Sequence, residues 1–205
     1  MLCKDSDLSN TSKVFQGYFY EWCENDGVAQ KLFSLKCRTF ADEKRSIVIM
    51  KRILFVCHGN ICRSPMAEFV MKDLVKKAGL GDKYYIESAA TSTEEIGCEV
   101  YLPARRKLAE HGISCKGKTA RQMTRSDYDS FDLLIGMDSY NIRNMTRICG
   151  GDPEGKIHKL LDYTGRGGDV ADPWYTRDFE AAWRDISEGC ERLLQSLMPL
   201  SQIVH

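Results

Sequence analysis

Along the chain, segments whose hydrophobic residues have the pattern of a β-strand alternate with segments whose hydrophobic residues recur at the spacing of an α-helix. Four consecutive apolar residues at 53–56 end at Cys57 and predict a buried strand. After Pro65 the apolar residues recur at helical spacing as far as Gly79, which predicts an amphipathic helix that ends there. The first strand is therefore expected to lead through a short loop into a helix.

Further strands and helices follow in alternation. The predicted strands cover residues 84–86, 131–137 and 157–161. Two of the predicted helices cover residues 103–111 and 179–197. A third is predicted to open at the capping-box pattern 119–122, and a fourth to be capped by Asp138 and to stop at Gly150. Strands separated by helices imply a parallel sheet that is covered on both faces. We therefore expect an α/β fold with a small doubly wound four-stranded parallel sheet and helices on both faces.

The ends of the strands are the expected place for a site, because ligands in such folds bind beyond the carboxyl ends of the strands. Three predicted loops leave strands at that edge: the loop after Cys57, residues 88–97 and the loop after Leu161. Their side chains are therefore expected to converge on one pocket.

The loop after the first strand has the clearest chemistry. Backbone N–H groups from His58 to Arg63 precede a helix N-terminus and are suited to hold a tetrahedral oxyanion. Arg63 offers two parallel N–H donors to such an anion. The positive field that binds the anion also favours the thiolate form of Cys57, which is a nucleophile at neutral pH. The sequence thus predicts a phosphate-binding loop that holds both a nucleophile and an anion clamp.

A cysteine and an arginine at this spacing are by themselves weak evidence, because a buried strand-end cysteine and a solvated arginine would give the same pattern. The longer run Val-Cys-His-Gly-Asn-Ile-Cys-Arg-Ser-Pro-Met-Ala-Glu at 56–68 is far more specific. It resembles the bacterial-type low-molecular-weight protein tyrosine phosphatases, and the resemblance extends from Lys51 to about Leu197. The resemblance implies a protein tyrosine phosphatase that hydrolyses phosphotyrosine through a cysteinyl-phosphate intermediate, with Cys57 as nucleophile and Arg63 as phosphate clamp. The implied phosphate-binding loop comprises His58, Gly59, Asn60, Ile61, Cys62 and Ser64.

A general acid is also required, because a tyrosyl phenolate with a pKa of about 10 must be protonated as it leaves. The family's acid is the Asp of an Asp-Pro-aromatic motif, and Asp172 in Asp-Pro-Trp-Tyr matches it. Asp169 is a nearby competitor, but Pro173 restricts the backbone of Asp172, as a positioned acid needs. An aspartate before proline is also common in ordinary turns.

Other residues are given supporting roles by the resemblance. Asn60 and Ser88 correspond to a hydrogen-bonding pair that holds the shape of the loop, and Ser64 to the hydroxyl that stabilises the thiolate. Cys62 corresponds to a redox partner that can trap oxidised Cys57 as a disulfide and so protect it from irreversible oxidation. The alternative is that Cys62 has no redox role and is a small buried residue that fills space in the core.

The substrate wall is expected to contain Ile61, Glu94, Trp174 and Tyr175. Glu94 departs from the family pattern, since many relatives have an aromatic residue at this position. An acid here weakens stacking on the substrate ring and disfavours acidic peptides, which leaves the peptide preference open.

Composition excludes several other classes of protein. The formal net charge of zero gives no basic field for nucleic acid, and no run approaches the roughly 18 apolar residues of a membrane span. Nine irregularly spaced cysteines fit a reducing cytosol better than a zinc site or a disulfide framework. We therefore expect a cytoplasmic monomer that needs no metal or cofactor and binds neither nucleic acid nor membrane. Its expected partner is a phosphotyrosine-containing protein, for which a tyrosine kinase is one candidate.

Residues 1–49 do not share the pattern of the rest. An aromatic cluster between Phe15 and Trp22 is not continued by any helical or strand period, and Met50-Lys51-Arg52 has the form of a translation start. We expect residues 50–205 to form the phosphatase domain and residues 1–49 to be an upstream extension or a mis-assigned start. A docking segment is the alternative.

Three other functions remain as alternatives. A protein-arginine phosphatase would share the loop, but the branched apolar Ile61 favours an aryl ring over a polar phosphoguanidinium. A thioredoxin-coupled arsenate reductase needs a further cysteine pair, for which Cys98 and Cys115 are too widely spaced. A non-catalytic phosphate-binding module would be expected to lose Cys57 or Asp172, and both are present.

Overall fold

The computed structural model describes residues 50–198, so the predicted extension at 1–49 and residues 199–205 lie outside the described part. Its sheet has four parallel strands in the order β2-β1-β3-β4, which confirms the predicted sheet. The strands are β1 (Lys51–Cys57), β2 (Tyr84–Ala90), β3 (Leu133–Gly136) and β4 (Ile157–Lys159).

Six α-helices are present among residues 50–198. They are α1 (Arg63–Lys77), α2 (Leu102–Glu110), α3 (Arg125–Ser130), α4 (Ser139–Cys149), α5 (Pro173–Thr176) and α6 (Phe179–Leu197). Short 3-10 helices cover Gly81–Lys83 and Leu160–Thr164. No helix in this range is long and apolar enough to cross a bilayer.

The two faces of the sheet are separated by the alternation of side chains along β1. Ile53 and Phe55 are fully buried in the larger core, which includes apolar residues of α1, α2 and α6. Leu54 and Val56 are fully buried on the opposite face, in a smaller core with residues of α3 and α4. Because the side chains from Ile53 to Cys57 are all buried, this part of the central strand is a continuous apolar run, as is usual in doubly wound sheets.

One predicted helix is wrong. Residues 119–122 do not begin a helix but lie in extended backbone, where Ala90 N–H donates to Arg121 O at 2.8 Å and Met123 N–H donates to Ala90 O at 2.8 Å. The helix begins at Arg125, and the carboxylate of Asp127 caps it by accepting from Thr124 N–H at 2.7 Å. Pairing with the end of β2 therefore takes this segment away from the helix that its local pattern predicts.

The other boundaries differ only at their ends. The third strand is shorter than predicted because Phe131 ends α3, and the fourth stops at Lys159 and continues as a 3-10 helix. Asp138 caps α4 as predicted by accepting from Asn141 N–H at 2.6 Å, and Gly150 ends the helix with a φ of 77°. The loops that follow β1, β2 and β3 leave the same edge of the sheet, where the site lies.

Candidate active site

The loop between β1 and α1 is shaped by Asn60. This residue has a φ of 57°, in the left-handed region where asparagine is tolerated, and its side chain is fully buried. Its Nδ2 donates to the Oγ atoms of Ser64 and Ser88, each at 2.8 Å, and its Oδ1 accepts from Arg121 N–H at 3.2 Å. The buried amide thus ties the loop to β2 and to the segment beyond it, which fixes the loop around Cys57.

The thiol of Cys57 lies at the base of this loop and is 3% exposed. Its Sγ is 3.1 Å from the Oγ of Ser64. Because the Asn60 amide donates to Ser64 Oγ, the Ser64 hydroxyl proton can be directed at one of two acceptors, Cys57 Sγ or the Ala89 carbonyl at 3.4 Å. A hydroxyl in this position stabilises a thiolate more than a thiol.

Behind Asn60 lies a buried acid that the sequence did not single out. Glu68 is 3% exposed, and its Oε2 accepts from Ser88 Oγ at 2.5 Å and pairs with Lys118 Nζ at 3.0 Å. Its Oε1 pairs with Lys72 Nζ at 2.5 Å. The sequence offered only the helical spacing of Ser64, Glu68 and Lys72 as a signal, and nothing that pointed to Lys118.

The guanidinium of Arg63 is buried and enters the pocket between two carboxylates. Nη1 donates to Asp138 Oδ2 at 2.7 Å and to Val170 O at 3.1 Å, whereas Nη2 donates to Asp172 Oδ2 at 2.5 Å. Burial alone would lower the pKa of Arg63, but the facing charges of Cys57 and Asp172 and the hydrogen bond to Asp138 raise it. Arg63 is therefore a permanent cation beside the thiol.

Asp172 is positioned by the helix that it caps. Its Oδ1 accepts from Trp174 N–H at 3.0 Å, and Pro173 occupies the first position of α5. The second oxygen, Oδ2, is the one that contacts Arg63. The Asp-Pro-Trp motif thus holds one carboxylate oxygen in place and leaves the other directed at the anion clamp.

Asp169, the competing acid, has different neighbours. Its Oδ1 accepts from Ser139 N–H at 3.2 Å, from Ser139 Oγ at 3.0 Å and from Lys159 Nζ at 3.1 Å. Partial burial acts to raise the pKa of this carboxyl, but the Lys159 ammonium and the two Ser139 donors outweigh it and lower the pKa. Asp169 is therefore held as a carboxylate away from Cys57.

These groups surround one pocket at the edge of the sheet. The lining residues are Cys57, His58, Gly59, Ile61, Cys62, Arg63, Glu94, Glu95, Asp172, Trp174 and Tyr175. Every residue predicted for the substrate wall is among them, and Glu95 is an addition that the sequence did not indicate. Asn60, Ser64 and Ser88 lie behind the pocket and are fully buried.

Comparison with protein families matches residues 52–202 to the model described as low molecular weight phosphotyrosine protein phosphatase. The chain belongs to this family. Its members are phosphoric monoester hydrolases, and this chain is accordingly one of them.

Individual relatives agree with the family assignment. The low molecular weight protein-tyrosine-phosphatase YfkJ of Bacillus subtilis is 41% identical over 156 residues, which make up 75% of this chain and 100% of the relative. The crystal structure of YfkJ gives a TM-score of 0.71 at 42% identity, and covers 72% of this chain and 94% of that chain.

Two further solved structures bear on specificity. The low molecular weight protein tyrosine phosphatase SP-PTP of Streptococcus pyogenes gives a TM-score of 0.69 at 40% identity, over 76% of this chain and 99% of that chain. The arginine phosphatase DARP of Drosophila gives 0.68 at 33% identity, over 74% of this chain and 99% of that chain. The fold alone therefore does not separate these two kinds of phosphatase.

Within this low-molecular-weight phosphatase, Cys62 has an environment opposite to that of a nucleophile. It lines the same pocket as Cys57 but is 5% exposed. Burial raises the pKa of Cys62 strongly, and the negative charge of the nearby Cys57 raises it further. Cys62 is therefore a neutral thiol at physiological pH.

The mouth of the pocket has a polar pair that links two of its loops. His58 Nε2 lies 3.1 Å from Glu94 Oε2, which joins the phosphate-binding loop to the loop after β2. The Glu94 side chain is 69% exposed, so its charge faces the approaching substrate. Glu94 replaces a possible aromatic stacking surface with an acidic rim.

Proposed function

We propose that this chain hydrolyses phosphotyrosine in proteins through a cysteinyl-phosphate intermediate. Cys57 is the nucleophile, Arg63 the phosphate clamp and Asp172 the general acid and base. The observation that carries the proposal is the convergence of these three side chains on one pocket, where Arg63 is in direct contact with Asp172 and Cys57 lies at the base. No metal or cofactor is needed, because Arg63 and the loop supply the positive field.

In the first step, the Cys57 thiolate attacks phosphorus, and an S–P bond forms as the bond to the tyrosyl oxygen breaks. The phenolate oxygen takes the proton of Asp172 and leaves as neutral tyrosine. Arg63 stabilises the charge on the equatorial oxygens of the transferring phosphoryl group. The Ser64 hydroxyl, at 3.1 Å from the sulfur, stabilises the thiolate before attack.

In the second step, water attacks the phosphorus of the intermediate. Asp172, now a carboxylate, accepts a proton from that water as the S–P bond breaks. Inorganic phosphate is released, and Cys57 returns to the thiolate. One carboxyl group therefore serves both steps, and its protonation state is restored at the end of the cycle.

Arg63 changes partners during this cycle. In the structure its Nη2 donates to Asp172. A phosphate dianion in the loop competes for that donor, because a charge-assisted bond to phosphate also uses the fork geometry. Substrate binding thus releases Asp172 from the ion pair and frees it to carry the proton that the leaving group needs.

Tyrosine is favoured over arginine by the apolar side of the pocket. Ile61, Trp174 and Tyr175 offer surfaces suited to a flat aryl ring, whereas a phosphoguanidinium would leave its polar N–H groups against Ile61. The similarity to DARP keeps arginine phosphatase as the second candidate. An arsenate reductase or a non-catalytic phosphate-binding module has no comparable support.

Turnover by the purified chain tests the proposal. Phosphotyrosine peptide, phosphoarginine peptide and nitrophenyl phosphate are compared at equal concentration. We expect phosphotyrosine to be hydrolysed with a kcat/KM far above that of phosphoarginine. Preferential hydrolysis of phosphoarginine would replace the proposal with the second candidate, and absence of turnover on all three would reject catalysis.

We also propose that the enzyme acts as a redox-sensitive monomer in the cytoplasm, on phosphotyrosine-containing proteins, for which a tyrosine kinase is one candidate. The redox proposal is supported by the neutral Cys62 thiol in the same pocket as Cys57.

A further inference from the structure

The loop that carries Asp172 is attached to the rest of the molecule at a few defined points. Immediately before it, Gly165, Gly167 and Gly168 all have positive φ values, between 63° and 96°. Such backbone imposes little stiffness of its own, because glycine populates these conformations freely. The position of Asp172 must therefore be fixed by contacts further along the loop.

Arg166, between the glycines, pairs with Asp185 of α6 at 2.6 Å, and Asp169 supplies the next contact, beyond the last glycine. A single oxygen of its carboxylate accepts three hydrogen bonds, from the N–H and Oγ of Ser139 and from Lys159 Nζ. Ser139 is the first residue of α4 and Lys159 is the last residue of β4. The carboxylate thus joins the end of the glycine segment to two regular elements of the scaffold.

The residues next to Asp169 and Ser139 in the chain contact Arg63, the proposed phosphate clamp. The next residue, Val170, donates its N–H to Met137 O at 2.8 Å, and its carbonyl accepts from Arg63 Nη1 at 3.1 Å. Asp138, which lies beside Ser139, binds the same Nη1 at 2.7 Å. The segment 137–139 therefore holds Arg63 on one side and the base of the acid loop on the other.

We propose that Asp169 is a positioning residue for Asp172, and that its bonds to Ser139 and Lys159 set the place of the acid relative to Arg63 and Cys57. The inference rests on the proposed role of Asp172 as general acid. Asp169 itself exchanges no proton with the substrate. Without its bonds, the base of the Asp-Pro-Trp turn is held only by the two hydrogen bonds of Val170, and the small displacements that this permits are costly to the rate.

Steady-state kinetics of Asp169→Ala on phosphotyrosine and on nitrophenyl phosphate test this. We expect kcat/KM, which reports the transfer of the phosphoryl group to Cys57, to fall by on the order of 10-fold for phosphotyrosine. For nitrophenyl phosphate, whose leaving group needs little protonation, kcat/KM should fall by less than about 2-fold. Inhibition by inorganic phosphate should be almost unchanged because the phosphate clamp is intact. Asp162→Asn is the matched control, since it removes a carboxylate 3.9 Å from Lys159 that has no bond to the acid loop. Its kinetics should equal those of the wild type.

A double variant separates positioning from general structural damage. If Asp169 acts only through Asp172, then Asp169→Ala added to Asp172→Asn should cause no further loss of phosphotyrosine turnover, because coupled residues are not additive. Losses that multiply would overturn the proposal, as would an equal loss on both substrates in Asp169→Ala. If Asp169→Ala does not fold, Asp169→Asn retains an acceptor for Ser139 and should show a smaller loss with the same substrate dependence.

The pH profile distinguishes failure of this inference from failure of the proposed function. In Asp169→Ala the limb that reports a protonated acid should remain, since Asp172 still donates. Loss of that limb in Asp169→Ala but not in Asp172→Asn would make Asp169 the acid and refute both proposals. If Asp172→Asn removes the limb and Asp169→Ala behaves as wild type, only the positioning role is refuted.

Discussion

The carboxylate of Asp172 lies 2.5 Å from the guanidinium of Arg63, although the two residues are 109 positions apart in the chain. Their pairing places the proposed acid and the proposed phosphate clamp in direct contact. A phosphate bound by Arg63 would therefore lie beside the carboxyl group of Asp172.

Cys57→Ser should bind phosphate and catalyse no measurable turnover. The variant keeps Arg63 and the loop, so the anion site persists, but a serine hydroxyl lacks the thiolate's reactivity. Phosphate binding is measured by thermal stabilisation and turnover with phosphotyrosine peptide. Cys98→Ser, at an exposed free cysteine, is the control and should retain full activity. Turnover at the wild-type rate in Cys57→Ser would refute the nucleophile assignment.

Asp172→Asn should lower kcat/KM for phosphotyrosine, which reports the first step, by on the order of 100-fold or more, and kcat/KM for nitrophenyl phosphate far less. The amide cannot donate a proton to the leaving phenolate, and nitrophenolate leaves without that help. Substrate affinity should not fall, because the amide fits the site and competes less for Arg63 than the carboxylate does. Parallel rate measurements on the two substrates, with pH profiles of each, check this. Equal slowing of both substrates would contradict the assignment.

Peroxide should inactivate the enzyme, and added thiol should restore activity much better in wild type than in Cys62→Ser. Burial and the charge of Cys57 raise the pKa of Cys62, so only a small fraction is thiolate at pH 7. Oxidation of Cys57 to sulfenic acid removes that charge, which lowers the pKa of Cys62. The Cys62 thiolate is the form that attacks the sulfenic acid, so formation of the Cys57–Cys62 disulfide should speed up as pH rises. Recovered activity is measured across pH, and equal recovery in Cys62→Ser would exclude the role.

Phosphotyrosine peptides with lysine beside the phosphotyrosine should have a higher kcat/KM than peptides with aspartate there, because the rim of the pocket is acidic. The difference should be only about 5-fold, because exposed charges interact weakly through solvent. Glu94 and Glu95 give the rim its negative charge. Glu94→Gln should reduce the difference, and added salt should do the same by screening. Glu99→Gln, whose carboxylate pairs with Arg105 instead, is the control. If Glu94→Gln at low salt shows the same preference for lysine as the wild type, the preference does not come from Glu94.

Gly189→Ala should destabilise the fold by about 1–3 kcal/mol, because it overfills a packed core. A Cβ at this position of α6 would lie 2.5 Å from Cγ of the buried Leu160. Gly81→Ala is the control, since no atom lies within 4 Å of its added Cβ. Urea unfolding of both variants measures the difference in unfolding free energy. An unchanged midpoint in Gly189→Ala would show that Leu160 moves aside without cost.

Local chemistry in the sequence was enough to predict the parallel sheet, the loop between Cys57 and Arg63, and the Asp138 cap of α4. Hydrophobic period and turn residues act over a few positions, so they can be interpreted without knowing the rest of the chain. The helix predicted at 119–122 failed because the same segment finds backbone partners at the end of β2, more than 28 residues away. Long-range pairing overrode the local signal.

The sequence by itself predicted a phosphate-binding loop after the first strand, and it named both candidate acids, Asp169 and Asp172. Only the tertiary structure decided what each of them contacts, because Arg63, Ser139 and Lys159 are brought to that loop by the order of the strands. The role of the buried Glu68 could not be predicted from the sequence for the same reason. Its partners Ser88 and Lys118 lie 20 and 50 residues away along the chain. Contacts of this length depend on how the sheet is assembled, which no local pattern records.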